Sequence, residues 1–240
     1  MKFYDCSRVL QSFLIGMVFT ALLGCGSSPT EVNEPDPPDP LTVTDFDGNV
    51  YTTVTIGTQI WMAENLKVTH YRNGAPIDNI TDNTEWGNLT TGAYCNLNND
   101  EGTVDTYGRQ YNWYAANNTN SICPTGWHIP SDAEWTTLIN YLGGSDTAGG
   151  KMKESGTAHW SNPNLGATNS SGFTALPGGY RNNLGIFDET YNYGFWWSSS
   201  HFNDTDGSII YLFHNYAGVW GGNASKKRGY FIRCIKDTVN

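Results

Sequence analysis

The stretch from Ser131 to Gly144, "SDAEWTTLINYLGG", carries the start, the face and the stop of one helix. Ser131 and Glu134 have the S-x-x-E spacing of a capping box, in which each side chain satisfies a backbone N–H left open at the helix start. Trp135, Leu138, Ile139 and Leu142 fall at i, i+3, i+4 and i+7 and form a single apolar stripe. Gly143-Gly144 ends the helix. Asp132 and Glu134 lie in the first turn, where negative charge is favoured by the helix dipole. These two acids therefore have local structural roles and are not a free catalytic pair.

Strand patterns flank this helix on both sides. Asp47-Gly48 separates two β-rich runs, a hairpin signal because glycine tolerates the positive φ of such turns. "NVYTTVTI" alternates, and a second turn at Ile56-Gly57-Thr58-Gln59 leads into Ile60, Trp61 and Met62, which predicts a three-stranded antiparallel meander. Tyr107, Tyr111 and Tyr114 have the spacing of one helix face, so a short helix is expected over Tyr107–Ala116. Another is expected near Thr147–Glu154. Beyond it come strand-like runs, "GFWWSSS", "SIIYLFHN", "GVWGG" and "RGYFIRCI". In the last run Tyr230, Ile232 and Cys234 alternate with Phe231, Arg233 and Ile235. Strands before the helices and more strands after them give an α+β domain with a mixed or antiparallel sheet.

The N-terminus has the order of an export signal. Lys2 and Arg8 precede an apolar run from Phe13 to Gly24, which is shorter than a membrane-spanning helix needs. It ends in "LLGC", which resembles the lipobox of bacterial lipoproteins, with Cys25 as the acylated residue. Residues 1–24 then form a signal peptide. Residues 25–44 form an acidic, proline-rich tether with Glu31, Glu34, Asp36 and Asp39, too polar to bury a core. The expected setting is the outer membrane or cell surface, with the lipid as the membrane contact. The net charge of -10 argues against a nucleic-acid partner, which requires a clustered basic surface.

Cys95, Cys123 and Cys234 fall in the exported domain, where disulfides persist. Cys123 stands just before the capped helix and Cys234 in the final strand. A bond between them closes a loop of about 110 residues, worth roughly 4–5 kcal/mol in the chain-entropy model. Cys95 is then buried and reduced, or is the alternative partner.

Together, "DGNVYTTVTIGTQIWMAENL", "YGRQYNWYAA", "CPTGWHIPSDAEW", "HWSNPNLGATNSSGFTALPGGYR", "WWSSS" and "GYFIRCIKD" resemble the Fibrobacter succinogenes major paralogous domain, over residues 45–237. More distantly, "WHIPSDAEW" followed by "GYFIRC" is similar to the formylglycine-generating enzymes, which have a variant of the C-type lectin fold. That likeness implies two main helices beside a twisted, mostly antiparallel sheet with long loops, and a Cys123–Cys234 bond that parallels the outer disulfide of C-type lectin domains. Neither relative's chemistry carries over. The enzymes use a pair of copper-binding cysteines in the C-terminal half, and in the C-terminal half of the matched domain this chain has Cys234 alone. The calcium-binding lectins use Glu-Pro-Asn or Gln-Pro-Asp with Trp-Asn-Asp, and none of these occurs here.

The residues themselves offer few reactive constellations. The five histidines are scattered, without H-E-x-x-H or C-x-x-C, and no G-x-S-x-G is present. His128, between Trp127 and Ile129, reads as a hydrogen-bonded, part-buried residue. Two oxygen-rich loops have calcium-type ligands, Asn98, Asn99, Asp100, Glu101 and Asp105 in one and Asn203, Asp204 and Asp206 in the other, without EF-hand spacing. No cofactor is otherwise implied. Exposed tryptophans beside Asn and Asp suit sugar rings, which makes Trp197, Trp220, Asn203 and Asp206 the candidate ligand set. Trp196 and Trp197 point oppositely on a strand, so at least one is buried. The expected function is a surface-tethered, non-enzymatic binding or adhesion module for carbohydrate or a partner protein. An enzyme on the formylglycine-generating scaffold and a structural envelope component are the alternatives.

Overall fold

The computed structural model describes residues 41–238. The signal peptide, Cys25 and the tether up to residue 40 lie outside the described residues; Thr42–Thr44, expected at the end of the tether, instead form a strand paired with Val50–Thr52. Among the described residues no helix is long and apolar enough to cross a membrane.

In chain order the first elements are the strands β1 (Thr42–Thr44), β2 (Val50–Ile56), β3 (Gln59–Met62) and β4 (Asp78–Asn79), then the short helix α1 (Asn83–Asn88). Next come β5 (Ala93–Asn96), the single turn α2 (Val104–Tyr107), β6 (Arg109–Tyr111) and a second single turn, α3 (Trp113–Ala116). β7 (Trp127–His128) leads into α4 (Asp132–Tyr141) and α5 (Ala148–Met152). After a long loop follow β8 (Tyr180–Arg181), β9 (Phe187–Asp188), β10 (Tyr193–His201), β11 (Asp206–Phe213), β12 (Trp220–Ser225) and β13 (Ile235–Lys236). The fold is α+β, and the ladders between strands are antiparallel apart from β4–β5.

The predicted meander is present as β1-β2-β3, and the sheet continues through β13 to β7. That order places the last strand beside the segment entering α4, and the expected disulfide Cys123–Cys234 joins the two, with Cα atoms 6.0 Å apart. Cys95 is buried and free, and burial pushes its thiol up to about 12. The capping box of α4 is complete, and Trp135, Leu138 and Leu142 are buried below it.

The helix expected over Tyr107–Ala116 is not continuous. Gly108 has φ +77°, and a Cβ there would lie 2.8 Å from the Asn65 side chain and 2.9 Å from two backbone carbonyls. The chain therefore breaks after α2 and runs extended as β6, where Tyr111 N–H donates to the Tyr230 carbonyl. Asn112 then restarts a helical turn by accepting from the Ala115 N–H. The three tyrosines share helical spacing, but the glycine between them overrides it.

Both faces of the C-terminal strands are buried, and the alternation read from the sequence divides them. Tyr230, Ile232 and Cys234 join one core cluster with Trp113 and Trp197; Phe231 and Ile235 join another with Trp135, Trp196 and Phe173. Long loops are held by buried cations whose hydrogen bonds go to backbone carbonyls. Arg233 donates to the carbonyls of Met62 and Phe173 and to Asn65 Oδ1. Arg181 donates to those of Ile80, Thr81 and Gly185. Lys153 Nζ donates to Leu165, Phe213 and Tyr216. Each cation takes the place that water would have around these loop carbonyls.

Candidate functional site: an aromatic sheet face

β10, β11 and β12 form a three-stranded sheet, and its register fixes which rings meet. Tyr193 pairs with Phe213, Phe195 with Tyr211, and Tyr211 with Trp220. Cross-strand partners share a face, and residues two apart along a strand share it too. One face therefore carries Tyr193, Phe195 and Trp197 from β10, Tyr211 and Phe213 from β11, and Trp220 from β12. At the Trp197 end this face is covered by Trp113 and Tyr230, whose ring centroids lie 5.3 and 4.7 Å from that of Trp197. Towards the other end the cover stops. Tyr193, Tyr211 and Phe213 are half-buried there, and Trp220 is 48% exposed.

The rings of this face touch in sequence, from the buried Phe195 out to Trp220. Tyr193 stacks on Phe195 at 5.6 Å and 7°, and Phe195 on Tyr211 at 5.5 Å and 28°. Phe213 meets Tyr193 edge-on at 4.6 Å and Trp220 at 6.3 Å. Such offset and edge-on pairs are the favoured arrangements of aromatic quadrupoles. Gly222 leaves room beside them, since a Cβ there would lie 3.4 Å from the Tyr211 ring. Beneath the platform, Lys153 Nζ holds the Phe213 and Tyr216 carbonyls, each at 2.8 Å, and so fixes the turn that joins β11 to Trp220. Burial pulls the Lys153 amine down to about 8.

Polar groups rim the rings. The Arg228 guanidinium lies 5.1 Å from the Tyr180 ring centre and donates to Tyr230 Oη at 3.1 Å. Burial raises the Tyr193 phenol pKa, with the Glu189 carboxylate adding to it. Burial also raises that of Tyr180, against the pull of Arg228. Both phenols are neutral at physiological pH and offer an O–H donor beside an apolar ring.

Of the residues singled out in the sequence, Trp220 alone reaches this open face. Trp197 is fully buried and donates its indole N–H to the Tyr111 carbonyl at 2.7 Å, so no ligand can stack on it. Trp196 is buried on the opposite side of the sheet and Trp160 is buried as well. Asn203 and Asp206 build the β10–β11 turn. Asn203 Oδ1 accepts the Thr205 and Asp206 N–H groups, and Asp206 Oδ2 accepts from Thr205 Oγ1 at 2.9 Å. Asp206 is five ladder positions from Tyr211, the partner of Trp220, or about 17 Å along the strand. The four residues do not form one site.

The acids of the two oxygen-rich loops are dispersed. Glu101 pairs with Arg109 at 2.9 Å, Asp100 caps the Gly102 N–H, and Asp105 stands exposed beside Lys67. Among the described residues no group of three or more His, Cys, Asp or Glu is placed to hold a metal ion. His128 is half-buried and hydrogen-bonded as expected, with Nε2 2.8 Å from Glu134 Oε1 and Nδ1 2.5 Å from Asp237 Oδ1. The sequence reasoning missed Tyr193, Phe195, Tyr211 and Phe213. Their signal was a period-two run of aromatics, "YGFWW" and "YLF", on strands already identified.

No curated protein and no solved structure matches the chain. A family model described as the Fibrobacter succinogenes major domain matches residues 54–236, a span that includes both bridged cysteines, the capped helix and the whole aromatic face. The chain belongs to the Fibrobacter succinogenes major domain family.

Proposed function

We propose that this protein is a non-enzymatic binding module, held at the cell surface by a lipid on Cys25 and the proline-rich tether that precedes β1, that adheres to carbohydrate through its aromatic face. The observation that carries the reading is the half-exposed Trp220 at the end of a ring series that is anchored in the core. Rigid rings with phenolic and guanidinium neighbours present apolar faces for sugar C–H groups and donors for hydroxyls. The net charge of -10 favours a neutral polymer over an acidic one. A C-type-lectin-like arrangement is part of this reading, supported by the bond from Cys123, on the segment that leads through β7 into α4, to Cys234, just before the last strand. The formylglycine-generating alternative has less support, because it needs a thiol pair. Here Cys123 and Cys234 are bonded to each other and Cys95 is alone and buried.

The test is co-sedimentation with insoluble neutral polysaccharides, comparing the full chain with W220A. Trp220→Ala should weaken binding about tenfold, the value of one stacking contact with its buried area, while leaving the unfolding midpoint near that of the parent. Equal binding by W220A would count against the aromatic face as the site, and no binding by the parent would count against carbohydrate and leave a protein partner or an envelope role.

A further inference from the structure

The opposite face of the same sheet holds a second feature, a groove of about 650 Å³ between α4 and strands β11 and β12. Its size falls in the range of small-molecule sites. Asp132, Thr136 and Asn140 line one wall at i, i+4 and i+8 of α4, which spaces them over about 12 Å. The floor is Ile210, Val219 and Gly221, with Asn223 beyond. One end is closed by the Val219 N–H donating to the Ser145 carbonyl at 2.7 Å. At the other end Phe202 is 54% exposed.

The chemistry of this lining is selective. The exposed side chains of Asp132, Asn140 and Asn223 make no hydrogen bond within the described residues, so their donors and acceptors face the groove or solvent. No Lys, Arg or His lines it, which leaves an anionic ligand without a counter-charge. A wholly apolar ligand would desolvate the carboxylate and both amides with no compensation. A ring with one apolar face for the floor and hydroxyls for the wall satisfies both halves. Glycine makes the space. Gly221 pairs with Ile210 on this face, and a Cβ added there would meet Ile210 Cδ1 alone among side chains, at an ordinary 3.7 Å.

We infer that this groove is a second binding site, separate from the aromatic face, for a short neutral saccharide. Trp220 and Gly221 are adjacent residues that serve opposite faces of one strand, so the two sites can be disabled one at a time.

The experiment is titration calorimetry of the full chain in detergent against neutral gluco-, xylo- and manno-hexasaccharides, with an oligogalacturonate as the acidic comparison. W220A, G221V and N140A are measured beside the parent. At least one neutral probe should bind the parent and W220A alike, while G221V, which raises a branched side chain from the groove floor, loses at least about tenfold in affinity. N140A, on the exposed helix surface, should also lose affinity and decides the matter if G221V unfolds early. The inference is overturned if no neutral probe binds, if the acidic probe is preferred, or if binding survives in G221V and N140A but is lost in W220A. That last result would leave the aromatic face as the sole saccharide site.

Discussion

His128 stands between two carboxylates, one on each ring nitrogen. Both nitrogens can donate only when the ring is protonated. Burial opposes that charge, but the bonds to Asp237 and Glu134 outweigh it and raise the pKa above the ordinary 6.5. A raised folded pKa contributes stability that is complete below the unfolded value and is lost as pH rises through the folded value. Glu134 works in the other direction. Its lowered pKa, held down by Ser131 and His128 against burial, contributes above about 4.5 and is lost as pH falls through the folded value. Thermal unfolding of the parent and His128→Gln across pH should therefore show a gap that is widest in mildly acidic solution and closes above neutral pH. Because the ring and both acids are partly exposed, that gap should stay near or below about 1 kcal/mol. A gap that persists into alkaline pH would mean a neutral imidazole. The sequence showed a bonded, half-buried histidine through its apolar neighbours. It could not show Asp237, which comes alongside only after β13 pairs with β7.

Among the elements, the turn between β11 and β12 depends most on a single side chain. Lys153 is buried at the end of α5, with three loop carbonyls around its ammonium and no carboxylate bonded to it. Lys153→Met keeps the volume but leaves those carbonyls dry and unbonded, which should cost about 3 kcal/mol or more. Urea unfolding measures that loss, and the loosened turn should also weaken polysaccharide binding through Phe213 and Trp220. Full stability in K153M would mean that water replaces the ammonium. Element by element, legibility followed how local the determinants are. Helix α4 was readable because its cap, stripe and stop lie within fourteen residues, Ser131 to Gly144. The Tyr107–Ala116 segment was misread because Gly108 is forced by Asn65, a residue of another strand connection. The aromatic face was half readable: alternation marked the strands, but which end of the face is covered depends on Trp113 and Tyr230 arriving from elsewhere.

At the scale of the whole molecule, the cross-link from Cys123 to Cys234 joins the segment just before β7 to the residue that enters β13. Replacing both cysteines with serine should lower stability by roughly 4–5 kcal/mol if the constraint acts on the unfolded chain, which a shift in the urea midpoint reports. The thiols could be paired in advance because their positions beside the helix and final strand, with the export expected from the N-terminus, narrowed the choice. Arg233 could be set on the strand face of Phe231 and Ile235, but its burial, like that of Arg181 and Lys153, could not be foreseen. In a sequence they look like surface charges, and their burial follows from loop carbonyls that converge only in the finished fold. On the proposed function the molecule separates two tasks, with fastening at the 123–138 segment and the C-terminal strand, and recognition on the sheet of β10, β11 and β12. Measuring polysaccharide affinity for H128Q and W220A side by side tests that division. H128Q should bind as the parent does, and W220A about tenfold more weakly. The reverse pattern, with H128Q losing affinity and W220A keeping it, would contradict the account.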